Sequence, residues 1–370
     1  MFKMTIYYAI SAVNLVSGGP LAILNSVLMS LSKEQKKNIH FFVFTSRTLV
    51  IDEELQKNPV FHFIEISWAC RNILTRLFFE YVYLFFWSRK RCIHLWLSLN
   101  DVTPNVVAKH RIVYFHNPSP FLLFKQMLFK KPIFVLYGWC YNLVYSINIR
   151  KNDFVVVQQN WIANIVHMRY HPKCVVTALP IQKNTNKELI TEENNDDGKI
   201  RFCFPAFPRF FKNHEIIGDA VKLLNNMGYC EFIVTFTLKG GENKYSAMIK
   251  KKYGCFAQIK FVGLLNSEEM DRLYSQSDVL IFPSLLETWG LPITEFKAYG
   301  KPMLVAELEY ARETVGHYQN VCFFNPLNSG QLAKLMANVI DNKITYEGSN
   351  VDEVYDCIDF DSLAERVFAL

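Results

Sequence analysis

Twice along this chain, short and almost wholly apolar segments alternate with stretches of helical periodicity, and that alternation restricts the fold more than any other feature. The first series is "MTIYYAIS", "IHFFVFTS", "VFHFIEIS", "CIHLWLSL", "RIVYFHN" and "DFVVVQQ". The second is "IRFCFPAF", "CEFIVTFTL", "QIKFVGLL", "SDVLIFPS", "KPMLVAEL" and "NVCFFNP". Strands this apolar along their whole length, separated by helices, belong to parallel sheets covered on both faces. Between the series lies "QKNTNKELITEENNDDGK", polar, acidic and aperiodic, which reads as a linker. The pattern predicts an α/β chain of two Rossmann-like, doubly wound domains: 1–181, a linker over 182–199, and 200–355. A last helix over 356–370 is placed to pack back on the first domain. Such pairs take ligands in the cleft between the carboxyl ends of their sheets.

Composition narrows the partners. The 370 residues are 51% hydrophobic and 15% aromatic, with a formal net charge of +6, which favours an anionic partner. The basic residues are scattered or joined to apolar runs, a pattern that points away from nucleic acid and towards a membrane surface. In "LTRLFFEYVYLFFWSRKRC" (74–92) and "FLLFKQMLFKKPIFVLYGW" (121–139) bulky aromatics sit beside Arg89, Lys90, Arg91, Lys125, Lys130 and Lys131. Such segments read either as core helices with solvated ends or as an interfacial face meeting lipid phosphates. The nine cysteines are odd in number and without a CxxC pair, as expected in a reducing compartment. The chain opens with an apolar strand rather than a cleavable signal, and no stretch is long enough to span a bilayer. A cytoplasmic protein, peripheral at the inner face of the membrane, is expected.

Two segments carry candidate chemistry. "SAVNLVSGGPLAILNSV" passes from a strand through Gly18 and Gly19 into a helix over 20–31 that Pro20 is suited to begin. The turn reads equally as an anion site at a helix start or as a tight connection without a ligand. In "DVLIFPSLLETWGLPITEFKAYGKP" (278–302) a buried strand leads through a loop carrying Glu287 to Gly290, Leu291 and Pro292, with Glu295 one helical turn further on. Two carboxylates can thus lie on either side of bare backbone donors, an arrangement that fits a nucleotide sugar: diphosphate at the helix start, ribose on Glu295, sugar hydroxyls on Glu287. Each acid also has a structural reading, Ser284 with Glu287 as a capping box and Glu295 as a complement to the helix dipole.

Segment 278–302 resembles the E-x7-E signature of retaining glycosyltransferases of family 4, which have the GT-B fold, and the likeness extends from Lys260 to Pro326. Phe296 stands where most members have a small residue. The resemblance implies that Arg209 and Lys212, in "FPAFPRFFKNHEII", hold the donor diphosphate and stabilise its charge as the sugar–phosphate bond breaks. It further implies donor contacts from Gly263, Leu264, Thr288, Trp289, Gly290 and Leu291, and from Gly18 and Gly19 at the cleft floor. His116, at the end of the strand "RIVYFHN", would reach the reaction centre. Catalytic roles thus fall on His116, Arg209, Lys212 and Glu287.

The activity so implied is metal-independent transfer, with retention, of a hexose or N-acetylhexosamine from a nucleoside-diphosphate sugar, UDP being the expected nucleotide. The acceptor would be a saccharide or a polyprenyl-linked saccharide in bacterial surface polysaccharide assembly (O-antigen, capsule or lipopolysaccharide). No cofactor is expected beyond the donor itself. Asp359 and Asp361 form a D-x-D triplet, but they precede a helical segment where Asp361 or Ser362 reads as a cap rather than a metal ligand. Alternatives are a non-catalytic nucleotide-sugar-binding subunit and a sugar-nucleotide epimerase of the same shape.

Overall fold

The structure, a computed structural model, describes residues 5–16, 18–33, 38–118, 120, 132–178, 198–351 and 357–370. Most of the linker read over 182–199 therefore lies outside the described residues, as does most of the segment 121–139. The chain divides into two compact units, Met1–Gln182 with Val354–Leu370, and Lys183–Glu353.

The first unit is built on an all-parallel sheet. Its strands are β1 (Ile6–Ser11), β2 (Ile39–Thr45), β3 (Phe61–Glu65), β4 (Ile93–Ser98), β5 (His110–Tyr114), β6 (Phe154–Val157) and β7 (Val175–Ala178). The chain returns after the second unit to add a two-residue strand, Cys357–Ile358, beside β7. Across the sheet the order is β3-β2-β1-β4-β5-β6-β7, so the winding reverses between β1 and β4. One core face gathers Leu24, Leu28, Val43, Leu97 and Tyr114 with Phe360, Leu363 and Val367 of the last helix, Phe360–Ala369. Its side chain Asp361 also pairs with Lys33 at 2.8 Å. The cap of this helix is Asp359, whose Oδ1 accepts from the Ser362 amide at 2.7 Å, and not Asp361 or Ser362. The opposite face of the sheet packs Phe44, Trp96, Phe79 and Leu84.

Two sequence expectations change here. Gly18 and Gly19 are not a turn before a helix but the first residues of it, since the helix runs Gly18–Lys33. Gly19 does not have a positive φ, and a Cβ there would meet nothing within 4 Å among the described residues, so neither left-handed backbone nor close packing against them demands glycine at 19. The segment 74–92 is core along one side only. It folds as a continuous helical run from Ile73 to Arg89, with a π-helical middle turn at Phe79–Tyr83. Phe79 and Leu84 are buried in the core, while Leu74, Phe78, Val82 and Phe86 lie exposed along its other side.

The second unit repeats the plan on strands β8 (Ile200–Phe204), β9 (Phe232–Phe236), β10 (Ile259–Phe261), β11 (Val279–Phe282), β12 (Met303–Ala306) and, after the short β13 (His317–Tyr318), β14 (Val321–Phe324). The parallel order β10-β9-β8-β11-β12-β14 reverses between β8 and β11. A two-stranded antiparallel pair, β13 with Ser349–Asn350, which the apolar pattern does not reveal, stands apart from it. In an open doubly wound sheet the loops leaving the two strands at such a reversal diverge and leave a crevice where ligands bind.

Candidate functional site

In the second unit, the loops leaving β8 and β11 at the reversal hold the sequence-predicted acids and bases. After β8 the chain forms a single tight turn, Phe210–Lys212, ended by Asn213 in the left-handed conformation, φ 63°. Asn213 is fixed there because its Nδ2 donates to the carbonyls of Pro283 at 3.3 Å and Pro326 at 2.8 Å, just beyond β11 and β14. The same turn receives the Leu285 amide on the Phe211 carbonyl at 2.7 Å. These bonds lock the basic turn to the loop carrying Glu287.

The consequence is direct contact between Lys212 Nζ and Glu287 Oε1, an ion pair whose side chains are 18% and 13% exposed. A partly desolvated ammonium and carboxylate at this distance neutralise one another, and each is thereby kept at the crevice of the sheet. Ser284 does not cap Glu287; its hydroxyl lies against the carbonyls of Phe211 and Leu286. Arg209, by contrast, is exposed, its guanidinium resting 5.7 Å from the Phe207 ring centre and 5.9 Å from that of Phe211.

Glu295 takes a different partner. Its Oε2 accepts from the Tyr274 hydroxyl at 2.8 Å, and burial and the carboxylate together push the phenol well above its ordinary pKa, so it stays a donor. Phe296 is fully buried with its ring 5.6 Å from that of Tyr274, so the bulky residue after the second acid packs against the group that steers that same acid. Between the acids, Gly290 adopts φ 89° and caps the helix Leu291–Lys297, with Pro292 in its first turn. A Cβ on Gly290 would make ordinary contacts 3.4 Å from Ile293 Cδ1 and Phe282 Cε1, so it is the backbone conformation that favours glycine. Trp289 is buried behind this turn, donating Nε1 to Thr294 at 2.9 Å, and Thr314 donates to its carbonyl. Thr288 is half-buried beside it. Gly263, φ 95°, lies against the Lys239 side chain, and Leu264 is exposed.

His214, one residue past Asn213, is enclosed by Phe204, Phe236 and Tyr245, and neither ring nitrogen has a hydrogen-bond partner among the described residues. Burial, with a smaller contribution from Lys212, pushes its pKa down to about 3 and keeps it neutral.

In the first unit β5 ends at Tyr114 and His116 lies two residues beyond. Its Nε2 is 3.2 Å from Asp101 Oδ2, while Asp101 Oδ1 accepts the amides of His116 at 2.6 Å and Asn117 at 2.9 Å. Asp101 achieves this from the left-handed region, φ 63°, three residues after β4. The carboxylate fixes the imidazole's tautomer and direction.

Tyr274, Asn213 and Asp101 thus hold the predicted residues in place, and the sequence reading did not single them out. Only Asn213 had a local signal, as an Asn between a short basic turn and a helix. Among the described residues no three His, Cys, Asp or Glu side chains gather as a metal site.

Residues 186–350 match the family model of glycosyl transferases group 1. An uncharacterized glycosyltransferase of Methanocaldococcus jannaschii is 29% identical over 76 residues, which is 20% of this chain and 20% of that relative's length. In fold the chain is similar to sucrose-phosphate synthase from Thermosynechococcus elongatus, with a TM-score of 0.63 at 14% identity, covering 99% of this chain and 94% of the other. It is likewise similar to WaaG, a glycosyltransferase involved in lipopolysaccharide biosynthesis, with a TM-score of 0.63 at 10% identity, covering 91% and 90%. Its architecture is that of the GT-B fold, and over 186–350 its sequence is similar to glycosyl transferases group 1.

Proposed function

We propose that the protein is a retaining glycosyltransferase of family 4, with Glu287 and Glu295 as its E-x7-E pair. The observation that carries this reading is the Lys212–Glu287 ion pair at the strand reversal of a group 1 domain. A nucleoside-diphosphate sugar, with uracil as the base, would draw Lys212 partly from Glu287 onto its diphosphate. Arg209 would add a second cation, and Glu287 would be freed to accept hydroxyls of a hexose or N-acetylhexosamine. Glu295, steered by Tyr274, would accept the ribose hydroxyls. The charge that builds on the leaving diphosphate would meet Arg209, Lys212 and the amides around Gly290–Leu291, which differentially stabilise the transition state without a divalent metal.

The acceptor would be a saccharide, free or carried on a polyprenyl lipid, in bacterial surface polysaccharide assembly at the inner membrane face. No helix among the described residues is long and apolar enough to cross a membrane. What supports peripheral attachment is the exposed row Leu74, Phe78, Val82 and Phe86, ending at Arg89, Lys90 and Arg91. The test is turnover of a panel of nucleotide sugars by the purified chain, with and without a chelator. UDP-sugar consumption that survives the chelator and falls at least a hundredfold in Lys212→Ala is expected. Binding without turnover would favour a sensing subunit, and conversion of the donor to an epimer would favour an epimerase.

A further inference from the structure

The reversal point of the first sheet, between β1 and β4, carries its own polar cluster. Asn14 follows β1 and Asn100 follows β4, joined by the Asn14 amide donating to Asn100 Oδ1 at 3.4 Å. Into this junction the π-helical turn brings Glu80, which is 1% exposed. Glu80 Oε1 accepts from Asn100 Nδ2 at 3.0 Å and from Arg76 Nε at 3.0 Å, while Oε2 is buried without a hydrogen-bond partner among the described residues. Arg76, one turn earlier and 14% exposed, donates Nη1 to Asn14 Oδ1.

That network leaves specific donors unspent. Asn14 Oδ1 accepts from Arg76 and, at 3.6 Å, from Cys70 Sγ, which leaves its Nδ2 as a donor on an exposed residue. Among the described residues the second terminal nitrogen of Arg76, Nη2, also has no hydrogen-bond partner. A guanidinium corner and a neighbouring amide, both donors, at the carboxyl edge of a doubly wound sheet, suit one kind of group, an oxyanion.

We propose that Arg76 and Asn14, set in place by Glu80 and Asn100, bind an anionic oxygen group of the acceptor, a phosphate or a carboxylate. The proposal rests on the transferase reading only for the word acceptor.

Glu80 gives the site a second property. Burial raises its pKa to about 7 against the opposing pull of Arg76 and the Asn100 hydrogen bond. Arg76 is the charged group facing it, and the Tyr81 phenol the neighbouring titratable one, held above its ordinary range by burial and the carboxylate. An anion arriving at Arg76 places like charge near Glu80 and favours its protonation, so binding near pH 7 takes up a proton from solvent.

The test is calorimetric titration of the full chain with pyrophosphate and, separately, with glucuronate, under saturating UDP so that Arg209 and Lys212 are occupied. Buffers of different ionisation enthalpy count the protons. Pyrophosphate tighter than glucuronate identifies a phosphate site, and the reverse a carboxylate site. Arg76→Gln is expected to weaken the better ligand at least tenfold and Asn14→Ala, at an exposed position, severalfold. Glu80→Gln should bind at least as tightly as the natural chain and abolish proton uptake. No binding by the natural chain, or affinities in Arg76→Gln and Asn14→Ala within twofold of it, would overturn the proposal. If Arg76→Gln does not fold, Asn14→Ala alone decides. Oxyanion binding through Arg76 in a chain that turns over no nucleotide sugar would overturn the transferase reading and leave this site standing.

Discussion

Lys212 and Glu287, 75 residues apart in sequence, form an ion pair across the reversal point of the second sheet, one on each diverging loop. The pair joins the basic turn after β8 to the acidic loop after β11, and it couples the fold of this edge to its chemistry.

Removing either partner leaves the other partly buried and unmatched. A double-mutant cycle of Lys212→Ala and Glu287→Gln, followed by urea denaturation, is expected to show a coupling of about 1–2 kcal/mol. Calorimetry should show UDP affinity at least tenfold weaker in Lys212→Ala, while Glu287→Gln, which frees the ammonium, should hold UDP as well as the natural chain.

Asn213 supports that pair through its backbone and its side chain together. Asn213→Gly keeps the left-handed conformation but loses the bonds to Pro283 and Pro326; Asn213→Ala loses both. Denaturant unfolding should rank them accordingly, with Asn213→Ala the less stable, by about 1 kcal/mol.

The Tyr274 hydroxyl orients Glu295. Tyr274→Phe preserves the ring packing against Phe296 while freeing the carboxylate to rotate. In steady-state kinetics this variant should raise the KM for the donor severalfold and leave kcat nearly unchanged, because a ribose contact is made equally in ground and transition states.

His214 imposes a pH dependence on folding. Its folded pKa, about 3, lies below the ordinary value of 6.5. The neutral ring therefore contributes stability that is complete above pH 6.5 and lost as pH falls from there towards 3. Between pH 6.5 and pH 5 the natural chain should lose about 2 kcal/mol more than His214→Phe, measured by urea denaturation at both pH values.

The strands of both sheets were legible because each is a run of apolar residues bounded by turns. Val175–Ala178 was not, since four residues after a helix carry no period of their own, nor was Cys357–Ile358, a strand where the pattern predicts the last helix. The helix start at Gly18 was misplaced because a glycine pair and a proline ordinarily signal a turn, and here the first helical turn simply accommodates them. Within the site, Lys212, Glu287 and Glu295 could be picked out from spacing and resemblance. That Lys212 meets Glu287 while Glu295 turns to Tyr274 could not, because those partners are chosen by strand order and by Asn213. The Arg76–Glu80 cluster was hidden inside an aromatic helix that read as core or membrane face, since only the sheet's reversal brings Asn14 and Asn100 beside it.

The central claim is sugar transfer with retention at the Lys212–Glu287 edge. The most direct measurement is proton NMR of the purified chain acting on its preferred UDP-α-sugar, recording the anomer first released or transferred. The account predicts the α-anomer, formed before mutarotation and lost in Lys212→Ala. A β-anomeric first product, or turnover undiminished in that variant, would contradict it.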